Sequence, residues 1–143
     1  RERFRQSLGR LAPHARCEGV HLLVEASNRY ITSVANSLDG SRRLIEGFPA
    51  DTVRLLADTH HMNIEETDML AAVRRHLDLF DSIHFSDNNR LLPGLGAIDF
   101  APLVRVLREG GFRGVVGLEG NIERDFRAEV EKSVAYLRGL RVS

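Results

Sequence analysis

The sequence predicts an α/β fold on a parallel sheet, and three observations predict it. Four short apolar runs recur along the chain: Val20 to Val24, Val53 to Ala57, Ser82 to Phe85 and Val115 to Leu118. Each reads as a strand buried on both faces, as parallel sheets require. The segments that follow them carry helical spacing, in Leu70, Val73 and Leu77, in Leu103, Val104 and Leu107, and in Val130, Val134 and Leu137. Helix punctuation falls between the two kinds of segment, so strand and helix alternate.

In chain order, a leading helix from Phe4 to Ala15 precedes the first strand, so the chain opens in the middle of a repeating βα unit. Asn63 with Glu66 has the spacing of a capping box ahead of the helix containing Leu70. Asp99 is placed to cap the next helix, with Pro102 in its first turn and Gly110-Gly111 at its end. Repeating units of this kind wind either as an open, doubly wound sheet or as part of a closed (β/α)₈ barrel. The dinucleotide fingerprint G-x-G-x-x-G is absent after the first strand, where Glu25-Ala26-Ser27-Asn28-Arg29 stands instead. Its absence favours the barrel.

Composition narrows the function classes. A chain of 143 residues, 43% of them hydrophobic, supports one domain with a real core but is shorter than the roughly 250 residues of a complete barrel. It opens on Arg1 rather than Met, and the expectation is that upstream sequence is missing. Twenty Lys and Arg balance twenty Asp and Glu, which argues against a nucleic-acid partner. Cys17 is the only cysteine, which excludes an internal disulfide and cysteine-based zinc sites and fits a reducing, cytoplasmic setting. No apolar run reaches membrane-spanning length.

Each predicted strand runs into a ligand-type residue: Glu25, Asp58, His84 and Glu119. In barrel enzymes the reacting groups sit where strands finish, because the strand holds the backbone while the following loop opens the site. Three carboxylates brought together would repel unless a cation lay among them. Oxygen donors with one imidazole suit Mn²⁺ first, with Mg²⁺ or Co²⁺ as alternatives, rather than structural zinc. A single acid at a strand end more often caps the next helix or pairs with an arginine. Four in succession are much harder to obtain by accident.

His60 and His61 cannot both face one site from an extended backbone. The interval from Asp58 favours His61 as the inward one, in the loop above the metal. Arg90, in Ser86-Asp87-Asn88-Asn89-Arg90, is placed to reach back over the strand ends to a substrate oxygen. The Gly94-Leu95-Gly96 segment could offer N–H groups to an anion, though paired glycines more often make a tight turn. His14, His21 and His76 lie away from the strand C-termini and read as structural or exposed.

Taken together, Glu25-x-x-Asn28-Arg29-Tyr30, Asp58-Thr59-His60-His61-Met62-Asn63-Ile64-Glu65-Glu66, His84-x-x-Asp87-Asn88-Asn89-Arg90, Pro93-Gly94-Leu95-Gly96-Ala97-Ile98-Asp99-Phe100 and Leu118-Glu119 resemble the ketose 3-epimerases of the D-tagatose and D-psicose type, within the xylose-isomerase-like barrel superfamily. The ligand spacings of 33, 26 and 35 residues belong to this likeness. The resemblance implies that residues 1–143 form the C-terminal half of a (β/α)₈ TIM barrel, strands five to eight. It implies that Glu25, Asp58, His84 and Glu119 hold the metal, that Glu25 and Glu119 also move protons through a cis-enediolate, and that His61 and Arg90 contact a small-molecule sugar. Such a half implies a partner, either a second copy or a complementary N-terminal half-barrel. Two departures stand out: Ile31 replaces an acid of those epimerases, and His60 replaces an apolar or aromatic residue.

Two other functions share these residues. An abasic-site endonuclease of the same superfamily would need more metal ligands and a surface that attracts DNA. A non-catalytic half-barrel interaction module would keep the ligand residues without using them.

Overall fold

A computed structural model describes residues 1–140. Helix α1 (Glu2–Cys17) leads into β1 (Leu22–Glu25), then α2 (Leu38–Ile45), β2 (Val53–Asp58), α3 (Thr59–Glu65) and α4 (Met69–His76). A single 3₁₀ turn over Leu77–Leu79 connects to β3 (Phe80–Phe85), followed by α5 (Phe100–Glu109), β4 (Val115–Leu118) and α6 (Phe126–Gly139). The four strands form one sheet in the order β1-β2-β3-β4, and all three pairings are parallel. Doubly wound sheets reverse their strand order at a switch point. This sheet does not reverse, which is the winding of a barrel wall.

The core lies between one face of the sheet and the helices. Val24 of β1, Val53, Leu55 and Ala57 of β2, and Ile83 and Phe85 of β3 pack with Leu8, Leu38, Val73, Phe100, Leu103 and Val106 of the helices. Because side chains alternate along a strand, Glu25, Asp58 and His84 are left on the opposite face. Strand β4 is less protected, with Val115 66% exposed. Among the described residues β1 and β4 each have one neighbour, so both edges present unpaired backbone groups.

Several elements match their sequence signals. Asp99 caps α5 by accepting from Ala101 N at 3.0 Å, and Gly111 follows the helix at φ 71°, a conformation glycine takes without strain. The capping box does not form. Asn63 lies inside α3, and the cap of α4 is Asp68, which accepts from Ala71 N at 2.9 Å. Glu66 instead accepts from Leu38 N, at the start of α2, at 2.7 Å. The first strand starts at Leu22 rather than Val20, and the third at Phe80 rather than Ser82.

Helices α2 and α4 are joined by Asp39, which accepts from Arg75 Nη1 and His76 Nε2, each at 2.7 Å. His76 is buried and His14 exposed, while His21 pairs with Asp81. The contact with His76, followed by that with Arg75, holds the Asp39 carboxyl below the usual carboxylate range. A depressed folded value contributes stability above the unfolded pKa of about 3.9, and that stability is lost as pH falls through the folded value. Asp39→Asn should therefore cost on the order of 1 kcal/mol at neutral pH, since the carboxylate is partly exposed. Urea titrations at pH 7 and in strong acid should show the difference shrinking on the acid side.

Candidate metal centre

The register of the sheet brings the four strand-end residues together. Glu25 lies opposite Leu56, Asp58 opposite His84, and His84 opposite Gly117. Residues directly opposite share a face, and so do residues two apart along a strand. Asp58 is two beyond the partner of Glu25, and Glu119 is two beyond Gly117, so all four project from one face at the C-terminal end of the sheet. One ligand atom from each lies within 4.8 Å of those of the others. Gly117 makes room for the imidazole: a Cβ there would meet His84 Cδ2 at 3.1 Å.

Charge in this cluster is unbalanced. Glu25 is pushed above the usual carboxylate range, first by burial and then by Asp58 and Glu119. Arg90 offsets part of the negative charge by donating to Asp58 Oδ2 at 2.8 Å and to Glu119 Oε1. Glu25 Oε1 is buried with no hydrogen-bond partner. His84 Nδ1 is likewise buried and lies 2.5 Å from Glu119 Oε2 without hydrogen-bond geometry. Unsatisfied buried donors and acceptors are costly, and three carboxylates with one imidazole are the donor set of a divalent cation with oxygen preference. The residues present fit such an ion.

Asp58 also carries the more ordinary role of a strand-end acid. It caps α3 by accepting from His60 N at 2.8 Å and His61 N at 3.1 Å. One oxygen therefore fixes the helix while the other faces Arg90. His60 and His61 begin this helix rather than lying on extended backbone or in a loop, which corrects the geometry expected from sequence. His61 is nevertheless the inward one: it is buried, and its Nε2 lies 3.8 Å from Glu25 Oε1. Burial lowers its pKa below the ordinary histidine value, with Arg90 and His60 acting in the same direction.

Arg90 sits at φ 64°, a backbone position that costs energy in a residue other than glycine. The loop holding it is organised by Asp87, which is fully buried. Its carboxylate accepts from the backbone N–H groups of Gly94 and Gly96 at 3.0 Å each and from those of Asn88 and Ile98 at 2.9 Å each. The glycine pair thus makes a turn around an internal carboxylate, and these N–H groups are already occupied. A Cβ at Gly96 would fall 2.4 Å from Asp87 Oδ1. Sequence reasoning assigned Asp87 no role, although an acid just past a strand and followed by Gly-x-Gly was the available signal. Thr59 and Ser86 add a second brace, with Thr59 Oγ1 donating to Ser86 O at 2.6 Å and accepting from Ser86 N at 2.8 Å.

Comparison with known proteins agrees with this architecture. The family model described as "Xylose isomerase-like TIM barrel" matches residues 1–140. The chain is 36% identical over 121 residues to 3-dehydro-D-guloside 4-epimerase of Escherichia coli K12, covering 84% of this chain and 46% of that protein. It is 32% identical over 119 residues to D-psicose 3-epimerase of Enterocloster bolteae, covering 83% of this chain and 40% of the relative. The crystal structure of apo 3-keto-D-glucoside 4-epimerase from E. coli superposes with a TM-score of 0.86 at 34% identity, over 94% of this chain and 51% of that one. The chain therefore spans about half the length of the relatives it matches. With a parallel sheet wound in sequential order and the family match running through the described residues, the chain belongs to the xylose isomerase-like TIM barrel family.

Proposed function

We propose that this chain supplies the metal-binding half of a sugar epimerase or isomerase acting on a ketose or a keto-sugar. The observation that carries the proposal is the convergence of Glu25, Asp58, His84 and Glu119 within 4.8 Å at the C-terminal edge of the sheet. The relatives support the reaction class. In a 3-dehydro sugar inverted at C4, and in psicose inverted at C3, the inverted carbon neighbours a carbonyl, so its C–H is open to removal as a proton.

In this reading Glu25, Asp58, His84 and Glu119 hold a divalent cation, Mn²⁺ by preference and Mg²⁺ or Co²⁺ otherwise. When bound, such an ion polarises a carbonyl and lowers the barrier to removing the neighbouring proton. Glu25 and Glu119 are the acid/base pair. Their carboxylates stand on the face of the sheet that would meet the substrate carbon, so each can take or return a proton there. One glutamate takes the proton to give a cis-enediolate. The other returns one, to the opposite face for epimerisation or to the neighbouring carbon for isomerisation. His61 and Arg90 contact sugar oxygens. Ile31, exposed where ketose 3-epimerases carry an acid, points to a substrate differing at that contact.

The test is exchange of the substrate's carbon-bound hydrogen with solvent. In D₂O with Mn²⁺, the protein together with whatever chain completes its barrel should incorporate deuterium at the carbon beside the carbonyl of a keto-sugar. Turnover of an abasic-site oligonucleotide without sugar exchange would replace this reading with phosphodiester chemistry.

Among the described residues no helix is long and apolar enough to cross a membrane. An exposed free thiol at Cys17 suits a reducing compartment such as the cytoplasm. The open edges of β1 and β4 call for a partner: we propose a second copy of this chain or a complementary four-stranded half. Sedimentation of residues 1–143 should show a species heavier than 16.1 kDa or a bound companion. A well-folded monomer at micromolar concentration would contradict this.

A further inference from the structure

We infer that Asn28 is a positioning residue that fixes His61 in one tautomer, with the proton on Nε2, so that a neutral N–H is presented to the substrate side of the metal centre. The substrate in this inference, a sugar carbonyl or hydroxyl oxygen, rests on the proposed epimerase reading. The tautomer does not.

The argument begins with the amide of Asn28, which is buried. Its Oδ1 accepts from the backbone N–H of Tyr30 at 3.0 Å. An amide nitrogen cannot accept a hydrogen bond, so this contact settles which end of the amide is oxygen. The other end, Nδ2, lies 2.9 Å from His61 Nδ1. Nδ2 can only donate, so Nδ1 of His61 must be the unprotonated, accepting nitrogen. In a neutral imidazole the proton then resides on Nε2. That nitrogen faces Glu25, at 3.8 Å from Oε1. A doubly protonated ring would set two donors against each other at Asn28.

The surrounding backbone keeps this pair in register. Arg29, next to Asn28, clamps the loop after β1 to α3. Its backbone N donates to Glu65 Oε1 at 2.6 Å, and its guanidinium donates to both Glu65 oxygens at 2.9 Å. The N–H groups of Ile31 and Thr32 donate to the Asn28 carbonyl. His61 is fixed from its own side by its backbone N–H on Asp58 Oδ1. Asn28 and His61 are 33 residues apart, yet both ends of their hydrogen bond are tied down independently.

The experiment is two-bond ¹H–¹⁵N correlation NMR at neutral pH on the full chain labelled with ¹⁵N-histidine, with the His61 signals assigned by their loss in His61→Gln. The parent should show a protonated Nε2 and an unprotonated Nδ1. In Asn28→Asp the carboxylate accepts where the amide donated, so Nδ1 should become protonated. In Asn28→Leu the preference should weaken to a mixture. A parent spectrum with the proton on Nδ1 overturns the inference without any variant, and so does an Asn28→Asp spectrum matching the parent. Under the epimerase reading, Asn28→Asp should also lower kcat by about 10- to 100-fold. Undiminished turnover would refute the positioning role. Absence of sugar turnover in the parent would count against the proposed function and leave the NMR result standing.

Discussion

Replacing Asp87 with alanine is expected to cost about 2–3 kcal/mol of stability, because four backbone N–H groups on the surrounding loop lose the buried carboxylate that they share. The effect should also reach the metal centre. The Asp87 backbone anchors the loop through Arg90 N on Asp87 O and Asp87 N on Leu91 O, and Arg90 carries the guanidinium that bridges Asp58 and Glu119. Asp87→Asn keeps one acceptor oxygen and should lose less than alanine. Urea denaturation of the parent and both variants provides the measurement. A loss below about 1 kcal/mol in Asp87→Ala would show that the loop is held by something other than this carboxylate.

Glu25→Gln and Glu119→Gln are each expected to lower the rate of solvent proton exchange at the reacting carbon by about 10²- to 10⁴-fold, the usual contribution of a positioned acid or base. Glutamine keeps the shape and an oxygen donor but cannot accept or deliver the proton. Both residues belong to the metal cluster as well, so each variant should be compared at saturating Mn²⁺ to separate weakened binding from lost proton transfer. Deuterium incorporation followed by NMR in D₂O reads the exchange directly. If either variant exchanged at the parent rate under saturation, that glutamate would not be part of the acid/base pair.

The parts of the fold and site that were legible in the sequence are those written in local pattern. Apolar runs marked all four strands, and the residues closing them are the ones the sheet brings together, because a strand's end position and its side-chain alternation are set locally. Asp99, Pro102 and Gly110-Gly111 bracketed α5 for the same reason. Helix α2 escaped notice because Asp39, Gly40 and Ser41 are poor helix formers. It is held by the Ser37 cap on Gly40 N and by burial of Leu38, Leu44 and Ile45. Helix α3 is short, and its opening Thr59-His60-His61 resembles a polar loop until the Asp58 cap is seen. Asn63 and Glu66 have the right spacing for a capping box, but α3 already includes Asn63, and Glu66 is drawn to α2. Asn28 and Asp87 stood among the residues carrying the family likeness without assigned roles. Those roles depend on a histidine 33 residues away and on a loop that folds back over its own carboxylate.

Isothermal titration of Mn²⁺ into the parent, Asp58→Asn and Glu119→Gln, each completed by the same partner chain if one is required, tests the central claim most directly. The parent should bind one ion per site, and each variant should bind at least about tenfold more weakly, because removing one ligand both deletes a donor and changes the charge that holds the ion. Equal affinity in the parent and both variants would contradict the assignment of Glu25, Asp58, His84 and Glu119 as a metal centre.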